Sequence, residues 1–147
     1  MTSAHTRAIV DSVRTTFADY AARLNARDLD SVIRFYAADS TFAWIEDGQV
    51  RYRSRNDIRT ALQGMLAFKD VRITLDEPLI VALGPGAAAL SATFDQALVD
   101  SAGGGVGLVG AMTIAAQHTP AGWKWATGHT SVRREPRPPQ REPRRPT

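Results

Sequence analysis

A chain of 147 residues with 44% hydrophobic content fits one soluble domain built on a single core. The absence of cysteine excludes disulfides and thiolate metal centres and favours a cytoplasmic setting, and no apolar run reaches the ~18 residues a membrane-spanning helix needs. The net charge of +3 is local: residues 133–147 hold six arginines and two glutamates, a sum of +4, which leaves −1 for the preceding 132 residues.

In chain order, residues 7–26 read as a helix, because Ile9, Val13, Phe17, Tyr20 and Leu24 recur at three- and four-residue intervals. The basic and then apolar pattern of a secretory leader is not present in the first residues. Asp28 stands as the N-cap of a short second helix with Leu29, Val32, Ile33 and Tyr36 on one side. Thr41 to Ile45 is strand-like, Glu46 to Gln49 a turn, and Val50 to Arg53 the returning strand. Ser54 and Asp57 resemble a capping box, with aspartate in place of Glu or Gln. They open a third helix that buries Ile58, Ala61, Leu62, Met65 and Leu66.

Everything beyond is β. Val71 to Leu83 turns at Gly84-Pro85-Gly86, and Ala88 to Val99 ends in the loop Asp100 to Gly105. Val106 to Gln117 turns at Thr119 to Gly122 into a last strand, Trp123 to Ser131. Helices gathered on one side of an antiparallel sheet make an α+β domain, placed here at residues 1–133. Along the last strand, alternation puts Trp123, Trp125, Thr127, His129 and Ser131 on one face. Two indoles, two hydroxyls and an imidazole suit an apolar cavity with a few polar groups, so this face is expected to look into an enclosed hollow. Residues 134–147 are rich in arginine and proline and have no other apolar residue, so a disordered tail is expected. Such a tail has no aromatic side chain for base stacking, which argues against a nucleic-acid partner and leaves docking to an acidic one.

This element order, with Leu29-Asp-Ser-Val-Ile-Arg-Phe-Tyr-Ala-Ala-Asp39, Tyr52-Arg-Ser-Arg-Asn-Asp-Ile58 and the Gly122-Trp…His129-Thr-Ser131 ending, resembles the SnoaL-like branch of the NTF2-like superfamily. The resemblance covers about residues 7–133. It implies an α+β cone of three N-terminal helices on a curved antiparallel sheet, a deep pocket for a small apolar ligand, and a homodimer. Members include isomerases, dehydratases and cyclases that need no cofactor, and others that only bind ligands or assemble complexes.

In the ketosteroid isomerases of this superfamily a first-helix tyrosine polarises a carbonyl and a first-strand aspartate moves the proton. Tyr20 lies sixteen residues before Tyr36, a spacing similar to theirs, but the place of the aspartate falls at Trp44. His129, matching the family's terminal histidine, is therefore the expected proton shuttle. Tyr20 is the expected hydrogen-bond donor, with Trp44, Trp125 and Tyr36 as ligand-binding walls. Asp39 is expected to cap a turn. Asp95 shares a strand face with Ser91 and Thr93, opposite Leu90, Phe94 and Leu98, and is expected to be exposed.

No metal site is expected, because His5, His118 and His129 lie far apart without flanking acids. Gly103 to Gly107 has no lysine and precedes a strand, so it reads as a hairpin loop and not as a phosphate cradle. Arg51, Arg53, Arg55 and Arg59 read as a solvated edge. The function that follows is a small-molecule pocket protein acting by acid–base catalysis on an apolar carbonyl or polyketide-like compound, as an isomerase, cyclase or dehydratase. The alternative is a non-catalytic ligand-binding or docking module.

Overall fold

The computed structural model describes residues 1–133, so the expectation for the arginine- and proline-rich segment 134–147 lies outside the described residues. Helix α1 (Ser3–Asn25) begins where the Thr2 hydroxyl accepts the His5 backbone N–H at 3.1 Å. All five predicted stripe residues, Ile9 to Leu24, are buried. The helix ends with Arg27 at a left-handed φ of 54°, while the Arg27 and Asp28 N–H groups donate to the Leu24 and Arg23 carbonyls. Arginine is an uncommon residue for that backbone, and its guanidinium is held by the Phe68 carbonyl at 2.8 Å.

Helix α2 (Leu29–Ile33) follows, with the Asp28 carboxylate accepting the Ser31 N–H at 3.3 Å as expected. Strands β1 (Ala43–Glu46) and β2 (Gln49–Tyr52) form the hairpin. Its turn is only Asp47 and Gly48, with φ of 48° and 84°, the two-residue geometry that Asp-Gly favours. Glu46 and Gln49, expected in the turn, are therefore paired strand residues. In helix α3 (Arg55–Gln63) the capping box forms: Asp57 N–H donates to Ser54 Oγ at 3.1 Å, and Arg53 N–H to Asp57 Oδ2 at 2.9 Å. The helix tightens into a 3₁₀ turn at Gly64–Ala67, which leaves Leu66 exposed where a buried residue was expected.

The stretch read as one strand from Val71 is two, β3 (Asp70–Leu75) and β4 (Leu79–Gly84), because Pro78 interrupts it. Both pair antiparallel with β5 (Ala87–Val99), β3 along one half and β4 along the other. Strands β6 (Gly105–Thr119) and β7 (Gly122–Val132) complete a sheet ordered β2-β1-β7-β6-β5-β3. The sheet is mixed and not wholly antiparallel, because β1 lies parallel to β7. Its inner face carries Ala88, Leu90, Ala92 and Phe94 from β5 and Met112, Ile114 and Ala116 from β6, buried in one core with the α1 stripe.

One feature of β7 overturns an expectation. Trp125 pairs with Ala116 and Thr127 with Ala115, so Ala126 is an extra residue in β7. A bulge of one residue resets the alternation. Trp123 and Trp125 face inward before it, and Gly128, Thr130 and Val132 take over the inner face after it. Thr127, His129 and Ser131 are turned to the outer face, where all three are exposed.

Candidate functional site

Between the inner face of the sheet, α1 and α3 lies a cavity of about 140 Å³. Tyr20 enters it from α1 and Tyr36 from the segment after α2, and their hydroxyls are 2.7 Å apart. Tyr20 reaches this depth as a member of the α1 stripe. Tyr36 is fixed because the backbone around it pairs with β7: Ala37 N–H donates to the Trp125 carbonyl at 2.9 Å, and Trp125 N–H to that of Phe35 at 2.7 Å. Burial pushes the Tyr20 phenol up to about 12 and raises Tyr36 well above the ordinary tyrosine value, with the Glu46 charge adding to both. Both phenols are thus protonated at neutral pH. Two O–H groups share one mutual hydrogen bond, so one O–H remains to be given to a molecule in the cavity.

Strand β1 supplies the opposite wall. Trp44 is buried, and its Nε1 donates to Thr130 Oγ1 of β7 at 3.0 Å. Its ring lies against Gly128, where even a methyl group would collide with the indole. Two residues on along the same face, the Glu46 side chain points to the cavity and is 29% exposed. Tyr52 Oη donates to Glu46 Oε2 at 3.3 Å, and Arg51 Nε lies 3.6 Å from the same oxygen. Gln96 and Thr130 are further polar groups on the wall, and the rest is aliphatic, aromatic or methionine.

Tyr20, Tyr36 and Trp44 are therefore brought together as expected, and two other expected site residues are not. Trp125 is fully buried behind Tyr20, with ring centroids 5.7 Å apart, and does not line the cavity; its Nε1 has no hydrogen-bond partner among the described residues. His129 is on the outer face, beside Ser91, Thr113 and Ser131 in a shallow groove, and cannot reach the cavity. Asp95 is exposed on that same outer face as expected, and Asp39 caps a turn by accepting the Thr41 N–H at 2.9 Å. The carboxylate that does reach the cavity is Glu46, a residue expected in a turn. Asp47-Gly48 is a complete hairpin turn by itself, and that sequence signal puts Glu46 back in the strand, on the Trp44 face. Among the described residues no group of three or more His, Asp or Glu side chains gathers as metal ligands do, and no helix is long and apolar enough to cross a membrane.

Residues 17–119 match the SnoaL-like domain. The chain belongs to this family. No curated protein sequence matches this SnoaL-like protein, but solved structures do. A Novosphingobium aromaticivorans protein carrying the provisional name scytalone dehydratase superposes with a TM-score of 0.78 at 10% identity, over 90% of this chain and 89% of that one. An NTF2-like superfamily protein from Salmonella enterica gives 0.71 at 17% identity, over 85% and 91%. A second N. aromaticivorans protein, provisionally named an aromatic ring hydroxylase, gives 0.71 at 18% identity, over 82% and 86%. At these identities the likeness shows the NTF2-like cone and not an activity. The cavity of this SnoaL-like chain carries a paired phenol donor on one side, a carboxylate on the other, and the Trp44 indole in its wall.

Proposed function

We propose that this SnoaL-like protein is a cofactor-free acid–base enzyme that isomerises, cyclises or dehydrates a small apolar carbonyl compound. The observation that carries this reading is the spare O–H of the Tyr20–Tyr36 pair, in a cavity that also holds the Glu46 carboxylate. The substrate carbonyl accepts that O–H. Glu46 removes a proton from the carbon next to the carbonyl, the electron pair moves to oxygen, and the phenol pair stabilises the enolate. In an isomerisation Glu46 returns the proton to a different carbon. Tyr52 and Arg51 orient the carboxylate. His129 takes no part, because it lies on the other side of the sheet. The volume limits the substrate to about one ring, since a cavity of ~150 Å³ accommodates benzene. The reading includes a homodimer formed through the outer sheet face.

The test is the conversion of 3-cyclohexen-1-one to its conjugated isomer, followed by ultraviolet absorbance. Tyr20→Phe and Glu46→Gln should each slow it by about a hundredfold, in the range of a lost oxyanion donor or general base. A Glu46→Gln protein that folds and turns over as fast as the parent would sink the mechanism. Binding of the ketone with no turnover in any form would favour the ligand-binding alternative, which has Trp44 in its support, an indole standing where a base is otherwise found.

A further inference from the structure

A second depression lies on the opposite side of the aromatic layer from the cavity and shares no residue with it. It is a groove of about 600 Å³ walled by Thr15, Thr16 and Arg23 of α1, by Arg34 and Phe35 after α2, and by Trp123 and Lys124 of β7. Arg34 and Lys124 line one end of it, and Arg55 stands beside them outside the wall. Lys124 Nζ donates to the Arg34 carbonyl at 2.6 Å, and Arg55 Nε and Nη2 donate to the Tyr36 and Arg34 carbonyls at 2.7 and 3.5 Å. Backbone carbonyls at the end of a short helix thus hold Lys124 and Arg55 beside the Arg34 side chain. Among the described residues no carboxylate pairs with any of the three. One carboxylate, Asp19, lines the groove; it and the neighbouring Asp28 are both engaged by Arg23, at 3.4 and 3.3 Å. Partial burial, and then the Arg55 and Arg34 charges, lower the Lys124 pKa, so the cluster repels itself. The cluster stands in a segment, residues 1–132, whose net charge is −1, so it is a local concentration and not part of a generally basic surface.

We infer that this groove binds a phosphate monoester, with Arg34 and Lys124 at the phosphate, the Arg55 charge behind them, and Phe35 and Trp123 against its organic part. A dianion suits the site because it offsets two of the three uncompensated charges. The free donors fit a tetrahedral oxyanion: Lys124 uses one of its three N–H groups on the Arg34 carbonyl, and the Arg34 guanidinium fork makes no hydrogen bond among the described residues. Phe35, half-buried and stacked on Trp125 with centroids 6.2 Å apart, offers a rigid apolar surface next to the charges.

Phenyl phosphate is the probe, titrated into the full-length protein by calorimetry at fixed ionic strength. Saturable binding at one site per chain is expected, weakened about tenfold or more in Arg34→Gln and in Lys124→Met, as the loss of a charge-assisted hydrogen bond requires. Arg34→Gln changes only an exposed side chain, and Lys124→Met keeps the aliphatic stem, so circular dichroism should show both folded. The six arginines of residues 133–147 are present in every form, so equal binding by parent and variants would place the anion there and overturn the proposal. Absence of saturable binding by the parent would overturn it as well. Neither result bears on the ketone assay, which reads the other side of the aromatic layer.

Discussion

Trp44 can lie flat against β7 only because residue 128, its register partner, has no side chain. A Cβ built at Gly128 would overlap the six-membered ring of the indole, and that ring has nowhere to retreat: Tyr36 meets it edge-on, with centroids 5.5 Å apart, and Thr130 holds its nitrogen. Gly128→Ala should therefore cost about 1–3 kcal/mol, as over-packing of a filled core does. It should also break the Trp44–Thr130 hydrogen bond. Urea unfolding gives the first quantity, and the shift in tryptophan emission reports the second. A variant with unchanged stability and emission would show that the wall is softer than the packing implies. At this scale some of the site was legible: the sixteen-residue interval from Tyr20 to Tyr36 marks two phenols that do touch. Glu46 was not, because its role depends on how many residues the hairpin turn consumes.

The outward position of His129 has its cause in the strand and not in the residue. Alternation along Trp123 to Ser131 holds on each side of Ala126. What reverses the outcome is one unpaired residue. Ala126 is as ordinary a strand residue as its neighbours, so a bulge there leaves no mark in the sequence; only the register against β6 reveals it. The break at Pro78 is the opposite case, since proline cannot continue a ladder and could have been read as dividing β3 from β4. The α1 stripe, the Asp28 cap and the Ser54–Asp57 box were all readable because each is a local pattern with a local cause. Deleting Ala126 would remove the bulge and leave every later residue on the face it now has, because Thr127 would follow Trp125 directly and still pair with Ala115, Gly128 with Ile114 and His129 with Thr113. Thr130 should therefore keep its hydrogen bond from Trp44, and the tryptophan emission that reports that contact should be unchanged. A deletion variant with shifted emission and a lower urea midpoint would show that the bulge itself shapes the wall.

On the scale of the whole molecule, no layer covers the outer face of the sheet among the described residues. Leu79, Val81 and Leu83 stand out from β4 at 75%, 58% and 64% exposure, a ridge of large apolar side chains along one margin. Beside the ridge, β5, β6 and β7 present small residues: Ala89 and Ser91, Ala111, Thr113 and Ala115, then Thr127. Two hollows of about 330 and 630 Å³ run along this trough, with Leu79 and His129 bordering both. A ridge beside a trough is self-complementary under a two-fold rotation, because each copy's ridge can fill the other's trough. Five strands spaced ~4.8 Å apart give each copy several hundred Å² of such surface, on the order of the ~800 Å² per partner that stable interfaces bury. The proposed homodimer would seat a second copy of the chain on this face, enclosing His129 and the hydroxyls of Ser91 and Thr113. Light scattering on the eluting protein should give twice the chain mass. Leu79→Lys with Val81→Lys should give a monomer, since desolvating two ammonium groups across the axis outweighs the apolar burial. These side chains point away from the cavity, so its chemistry can be assayed on the same variant. A parent protein that elutes as a monomer at every concentration tested would refute the interface, and the Leu79–Leu83 ridge would then be left to meet a different partner.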